Sequence, residues 1–177
     1  MLKELTTKFL ITVFLFSQIF QAANALEISA FQPEEDGEAT ITFCKKFKIE
    51  NVSLNKNYVT QAVVFEKDGG EYENIAVLNN EIATKIVSCF EGVCDTRTDC
   101  EDFPYTLISA RKIKDKDLVI AKVAFDDDIS AIFLISSYKK KNKTLYRVTM
   151  PQDFKFLTGK YKNIFRSWLL LRVKDLL

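Results

Sequence analysis

Leu118-Val119-Ile120-Ala121-Lys122-Val123-Ala124-Phe125 is broken by Asp126-Asp127-Asp128, and Ile132-Phe133-Leu134-Ile135-Ser136-Ser137-Tyr138 follows after Ile129-Ser130-Ala131. Both apolar runs are rich in β-branched and aromatic residues, are seven or eight residues long, and lie on either side of an acidic break, which is the pattern of paired strands. Working outward, Tyr105 to Arg111 precedes them across the turn Lys114-Asp115-Lys116-Asp117. Leu145 to Met150 follows across Lys139-Lys140-Lys141-Asn142-Lys143. Strands at this spacing, joined by charged turns, describe a mainly β domain, an antiparallel sandwich or a barrel-like sheet.

Upstream, Leu26 to Phe31 alternates apolar and polar residues and is cut off by Pro33 and the acidic turn 34–38, so it reads as a first strand. The run 39–49 reads as a second strand, with Ile41, Phe43, Phe47 and Ile49 on one face and Thr40, Thr42, Cys44, Lys46 and Lys48 on the wetter one. Tyr58–Glu66 and Tyr72–Leu78 flank Lys67-Asp68-Gly69-Gly70-Glu71, whose Asp-Gly supplies hairpin turn angles, so these two are antiparallel neighbours. Asn79 and Asn80 offer an N-cap, Ile82, Ile86 and Phe90 recur every fourth residue, and Gly92 marks a stop. A short helix over 81–90 is predicted, with a strand as the alternative because a four-residue spacing also satisfies period two. In segment 158–177, Thr158 caps a second, C-terminal helix with Tyr161, Ile164, Phe165, Trp168 and Leu171 as its apolar stripe and Lys160, Lys162, Arg166 and Arg172 outside it. An apolar stripe of this kind packs on a sheet; its basic flank also suits a peripheral contact with a membrane surface.

Residues 1–25 carry a basic n-region, the apolar run Phe9–Phe20 and Ala23-Asn24-Ala25, the order of a secretory signal peptide cleaved after Ala25. The apolar run is shorter than the roughly 20 residues a membrane span needs. Residues 26–177 then form a single domain. The leader removes Lys3, Lys8 and Glu4 from a chain of 25 basic and 24 acidic residues, leaving 23 of each. A mature chain without net charge has no long-range attraction for polyanions, so nucleic acid is not the expected partner.

Cys89, Cys94 and Cys100 fall within twelve residues and Cys44 lies far upstream. There is no histidine, and a thiolate zinc site normally shows two close Cys pairs, so disulfides in an oxidising compartment are expected and neither metal nor cofactor is. Cys89 pairs with Cys94 and Cys44 with Cys100 in the preferred connectivity; Cys94 with Cys100 and Cys44 with Cys89 is the alternative. The absence of histidine also removes Ser-His and Cys-His nucleophile pairs, and an enzyme is not expected. The acidic groups Asp126-Asp127-Asp128 and Asp95, Asp99, Glu101, Asp102 do not follow a calcium-loop spacing and read as solvated turns.

Arg147-Val148-Thr149-Met150-Pro151, followed eight residues later by Gly159, resembles the Arg-Val-x-x-Pro stretch and trailing Gly of the invasion-associated locus B family of exported bacterial proteins. Cys94 and Cys100 ahead of it, and the Cys-x4-Cys spacing of Cys89 and Cys94, are similar to that family over roughly residues 90–165. Here the Cys-x4-Cys pair precedes Arg147 rather than following it, and Val93 stands where a Trp introduces the family's first cysteine strand. The resemblance implies a periplasmic or surface-associated virulence factor acting through contacts with host or envelope, with no known catalytic residues to carry over, and the expected function is that of a secreted or periplasmic, non-enzymatic effector that makes protein–protein contacts with a host or envelope protein. Asp95, Arg97, Asp99 and Trp168 are the candidate contact residues. The alternatives are a secreted enzyme inhibitor that inserts the stapled loop 89–100, and an envelope protein that docks on membrane through its C-terminal segment.

Overall fold

Period-two alternation puts Val119, Ala121, Val123 and Phe125 on one face of a strand and Ile129, Ala131, Phe133 and Ile135 on the matching face of the next, and all eight are buried. The computed structural model describes residues 26–55, 58–60, 63–65, 71–97, 103–114 and 116–177. Its architecture is mainly antiparallel β with two α-helices. One sheet runs β1 (Ile28–Pro33), β2 (Glu38–Phe43), β3 (Phe47–Asn55) and β12 (Phe154–Phe156), with β4 (Tyr58–Thr60) also on β3. A second runs β11 (Lys143–Thr149), β10 (Ile129–Lys140), β9 (Leu118–Phe125) and β8 (Tyr105–Lys112). Strand β7 (Ile75–Val77) pairs with the start of β10. The Asp-Gly hairpin is present as β5 (Val63–Phe65) against β6 (Glu71–Glu73); its turn lies outside the described residues, as does the whole of 1–25. Pro33, which has no N–H to offer, closes edge strand β1.

The run 39–49 is two strands, not one. Phe43 and Phe47 face each other across the loop Cys44-Lys45-Lys46, where Cys44 and Lys45 both take φ of 50° and Lys46 N–H donates to Phe43 C=O. An extra residue in β1 supplies Ser29, whose hydroxyl donates to Thr42 C=O and accepts from Lys45 N–H, holding this loop in place. The expected wet face is also corrected: Thr40, Cys44 and Lys46 are all buried, and the Lys46 ammonium lies 4.8 Å from the Phe103 ring centre. The bulge that lets β3 bend is marked by Asn51 at φ 55°, with its amide donating to Asp153.

The two sheets meet at phenylalanine. Phe47 lies against Phe43, Phe103, Phe125 and Phe154, with ring centres 5.0 to 5.9 Å apart, and Phe125 continues to Tyr105, Phe133 and Phe165. Each such side chain contributes about 1.5–3 kcal/mol by burial and each good ring pair about 0.5–1.5 kcal/mol more. Helix α1 (Asn80–Phe90) starts on Asn79, whose side chain accepts from Glu81 N–H, and buries Ile82, Ile86 and Cys89. Helix α2 (Gly159–Arg172) starts on Thr158 and buries Phe165 and Leu169. Its expected stripe is rotated: Ile164 and Leu171 are exposed, whereas Leu169 and Val173 are inside. The reason is that Phe165, wedged 4.6 Å from Phe133 and 5.3 Å from Tyr105, sets the face, and Trp168 only borders it.

Among the described residues no helix is long and apolar enough to cross a membrane. Cys89 and Cys94 form a disulfide as expected, and Cys44 is disulfide-bonded too; Cys100, its expected partner, lies outside the described residues.

Candidate functional site

The inward row Ile82, Ile86, Cys89 leaves Glu81, Thr84, Lys85 and Ser88 on the outer face of α1. Gly92 ends the helix at φ +87°, a conformation that disfavours a side chain, and Val93 N–H returns to Ser88 C=O. The Cys89–Cys94 disulfide closes this reversal, and residues 93–97 then run back past β1, where Arg97 N–H donates to Ile28 C=O at 2.9 Å. Helix, stapled turn and strap enclose a cleft of about 370 Å³ lined by Glu27, Glu81, Thr84, Lys85, Ser88, Val93, Asp95 and Arg97.

The cleft is ionic and of mixed sign. Lys85 reaches Glu27 and Glu81, both at 3.4 Å, and Arg97 reaches Asp95 at 3.3 Å. Arg97 and Asp95 are both exposed, and an ion pair of that kind contributes about 0–1 kcal/mol, so a partner's own charges displace it at little cost. Val93 stands 72% exposed at the rim, an apolar residue held out by the disulfide beside it. The arrangement brings together two cations, three carboxylates and two hydroxyls.

Of the residues expected from sequence, Cys89, Cys94, Asp95 and Arg97 come together here, while Asp99 and Cys100 lie outside the described residues. Trp168 does not line the cleft; it sits 5.4 Å from Tyr105 and 6.0 Å from Phe165, with Arg172 over its ring at 5.9 Å. Sequence reading missed Glu27, Glu81 and Lys85. The helical period that put Ile82 and Ile86 inside was enough to find the last two, but Glu27 needs the register of β1 against the strap.

The acidic break 126–128 is not a solvated turn. Asp126 and Asp127 take φ of 53° and 56°, which turns the third residue inward, and Asp128 is 1% exposed. Its carboxylate accepts from Asn79 Nδ2 and from Leu26 N–H, both at 2.8 Å. Burial pushes its pKa up against those two hydrogen bonds. Asp126 has one buried oxygen with no partner, and burial, aided by Asp128 and Asp127, raises it to about 6. Among the described residues no group of three or more Cys, Asp or Glu is placed to hold a metal ion.

Lys112, Lys114, Lys116, Lys139, Lys140, Lys141 and Lys143 gather at the other end of the second sheet, because the β8–β9 and β10–β11 turns share that end. Leu176 and Leu177 of the chain terminus pack beside Lys112 there. The Arg147 guanidinium of the Arg-Val-x-x-Pro stretch is exposed on β11, 5.6 Å from the Tyr138 ring centre, and Val148 is buried behind it. No family model, curated protein or solved structure matches this chain.

Proposed function

We propose that this protein is an exported, non-enzymatic binding module, secreted or periplasmic, that acts on a host or envelope protein as a virulence factor of a bacterium. The observation that carries the reading is the mixed-charge cleft between α1 and the disulfide-closed strap 93–97. A rigid scaffold that holds weakly paired charges at an open rim binds a partner with little ordering cost. The Cys89–Cys94 disulfide supports an oxidising destination, and the leader-like residues 1–25 support export. The likeness to the invasion-associated locus B family supports the host-directed role.

The test exchanges the two strap charges. Asp95→Arg with Arg97→Asp keeps their mutual pair and the net charge but inverts the pattern that a partner meets. The melt is expected to stay within about 0.5 kcal/mol of the parent, as for surface substitutions generally. Capture of a single host or envelope protein by the immobilised parent, lost in the exchanged variant, supports the reading; capture indifferent to the exchange overturns it.

A second reading, peripheral docking on anionic membrane, is favoured by the lysine-rich end and its neighbouring C-terminal leucines, together with exposed Ile164 and Leu171 on α2. Cosedimentation with phosphatidylserine vesicles that disappears when Lys139, Lys140, Lys141 and Lys143 become Gln would move the function there.

A further inference from the structure

Leu26, the first residue after the processing signature Ala23-Asn24-Ala25, is already a core residue: it is fully buried, and its backbone nitrogen lies 2.8 Å from Asp128 Oδ2. The other carboxylate oxygen is held by Asn79 Nδ2 at 2.8 Å, and Asn79 is itself fixed as the N-cap of α1. Both donors are neutral while Leu26 remains within a peptide bond. A buried carboxylate is costly unless a cation neutralises it, and among the described residues no lysine or arginine forms an ion pair with Asp128.

We infer that Asp128 and Asn79 form a receptor for the α-ammonium group of Leu26, so that removal of the leader ties the new N-terminus into the core by a buried ion pair. Hydrolysis of the Ala25–Leu26 bond by a leader peptidase consumes one water and leaves a carboxylate on Ala25 and an ammonium on Leu26. The nitrogen that donated one neutral hydrogen bond becomes a cation in the same place. Consecutive Cα atoms are about 3.8 Å apart, so cleavage one residue away puts the charge out of reach. The core is thereby matched to one processing position.

The charged groups facing Asp128 are Asp126 and Asp127 on its own turn and Glu81 and Lys85 on α1, and all are common to both chain starts compared below. The pairing raises the amine's folded pKa above its ordinary value of about 7.7–8.0. Its stabilisation is therefore complete below that range and lost as pH rises through the raised value.

The experiment exports the full chain and a version with one alanine inserted between Ala25 and Leu26, and compares the processed proteins after N-terminal sequencing. The inference rests on the reading of export: a start other than Leu26 in the parent overturns it at that step, separately from the melts. With the starts verified, the Leu26 protein is expected to melt about 5 °C or more above the Ala-Leu26 protein at pH 6.5, with the gap closing near pH 10. In an Asp128→Asn background the gap should vanish at every pH. A gap that ignores pH and survives Asp128→Asn is steric and overturns the ion pair, as does equal melting of the two starts. Where Asp128→Asn does not fold, the Leu26 amine of the parent is titrated by nitrogen-15 NMR: a pKa above 8 supports the receptor, and an ordinary one overturns it.

Discussion

Replacing Phe165 by alanine removes a fully buried ring that touches Tyr105, Phe125, Phe133, Phe156 and Trp168 at centre separations of 4.6 to 6.0 Å. Phe→Ala in a core costs about 3–5 kcal/mol, and five ring contacts place this site at the upper end. Against a total stability of about 5–15 kcal/mol that is a large fraction, and at about 2–4 °C per kcal/mol the midpoint should fall by roughly 10–20 °C. Ile164, one residue earlier, is 49% exposed, and Ile164→Ala should change stability by no more than about 0.5 kcal/mol. Trp168 is the only tryptophan and borders the same cluster, so its fluorescence in urea reports both variants directly. The m-value should be unchanged and the midpoint should move only for Phe165→Ala. Equal shifts for the two variants, or no shift for either, would refute the orientation of α2 and the aromatic core built on it.

Two further outcomes follow from the buried acids and the staple. Asp126, raised to about 6, ionises at lower pH in the unfolded chain than in the folded one, so it destabilises progressively from about pH 4 and fully above pH 6. Asp126→Asn keeps a residue tolerant of φ 53° and should raise stability by about 1–2 kcal/mol at pH 7 with no gain at pH 4, read as urea midpoints at the two values. Cys89→Ser with Cys94→Ser opens a loop of only four intervening residues, so the loss in a urea melt should be about 2 kcal/mol, and a loss below 0.5 kcal/mol would show the turn to be held by Gly92 and its hydrogen bonds alone.

The strand-rich class, both helices and the strands from 105 to 149 were legible because alternation, caps and charged turns agree there. The hairpin at 43–47 was not. Its loop has no glycine, asparagine or proline, and because Phe43 and Phe47 face each other four positions apart, period two continues unbroken through the turn. The same three-residue loop recurs at Asp126-Asp127-Asp128, where three adjacent carboxylates resemble a solvated break although the third is a core residue. Sequence reports polarity; whether a polar side chain is turned inward depends on left-handed backbone at the two residues before it, which Asp, Lys and Cys do not advertise. The cleft was half legible, since α1 and the cysteines announce themselves, but its third wall is Glu27, just ahead of β1 and about 70 residues earlier.

The aromatic cluster has a consequence for the order in which the chain can fold. Phe47 stacks on Phe154, and Phe125 stacks on Phe165 twelve residues from the C-terminus, so the ring pairs that join the sheets span most of the chain. Before Phe154 and Phe165 are made, Phe47 has only Phe43, Phe103 and Phe125 as ring partners, and the long loops between partners make closure of the core slow. The aromatic core of this design is therefore completed late, when β12 and α2 bring Phe154 and Phe165 to rings that are already in place.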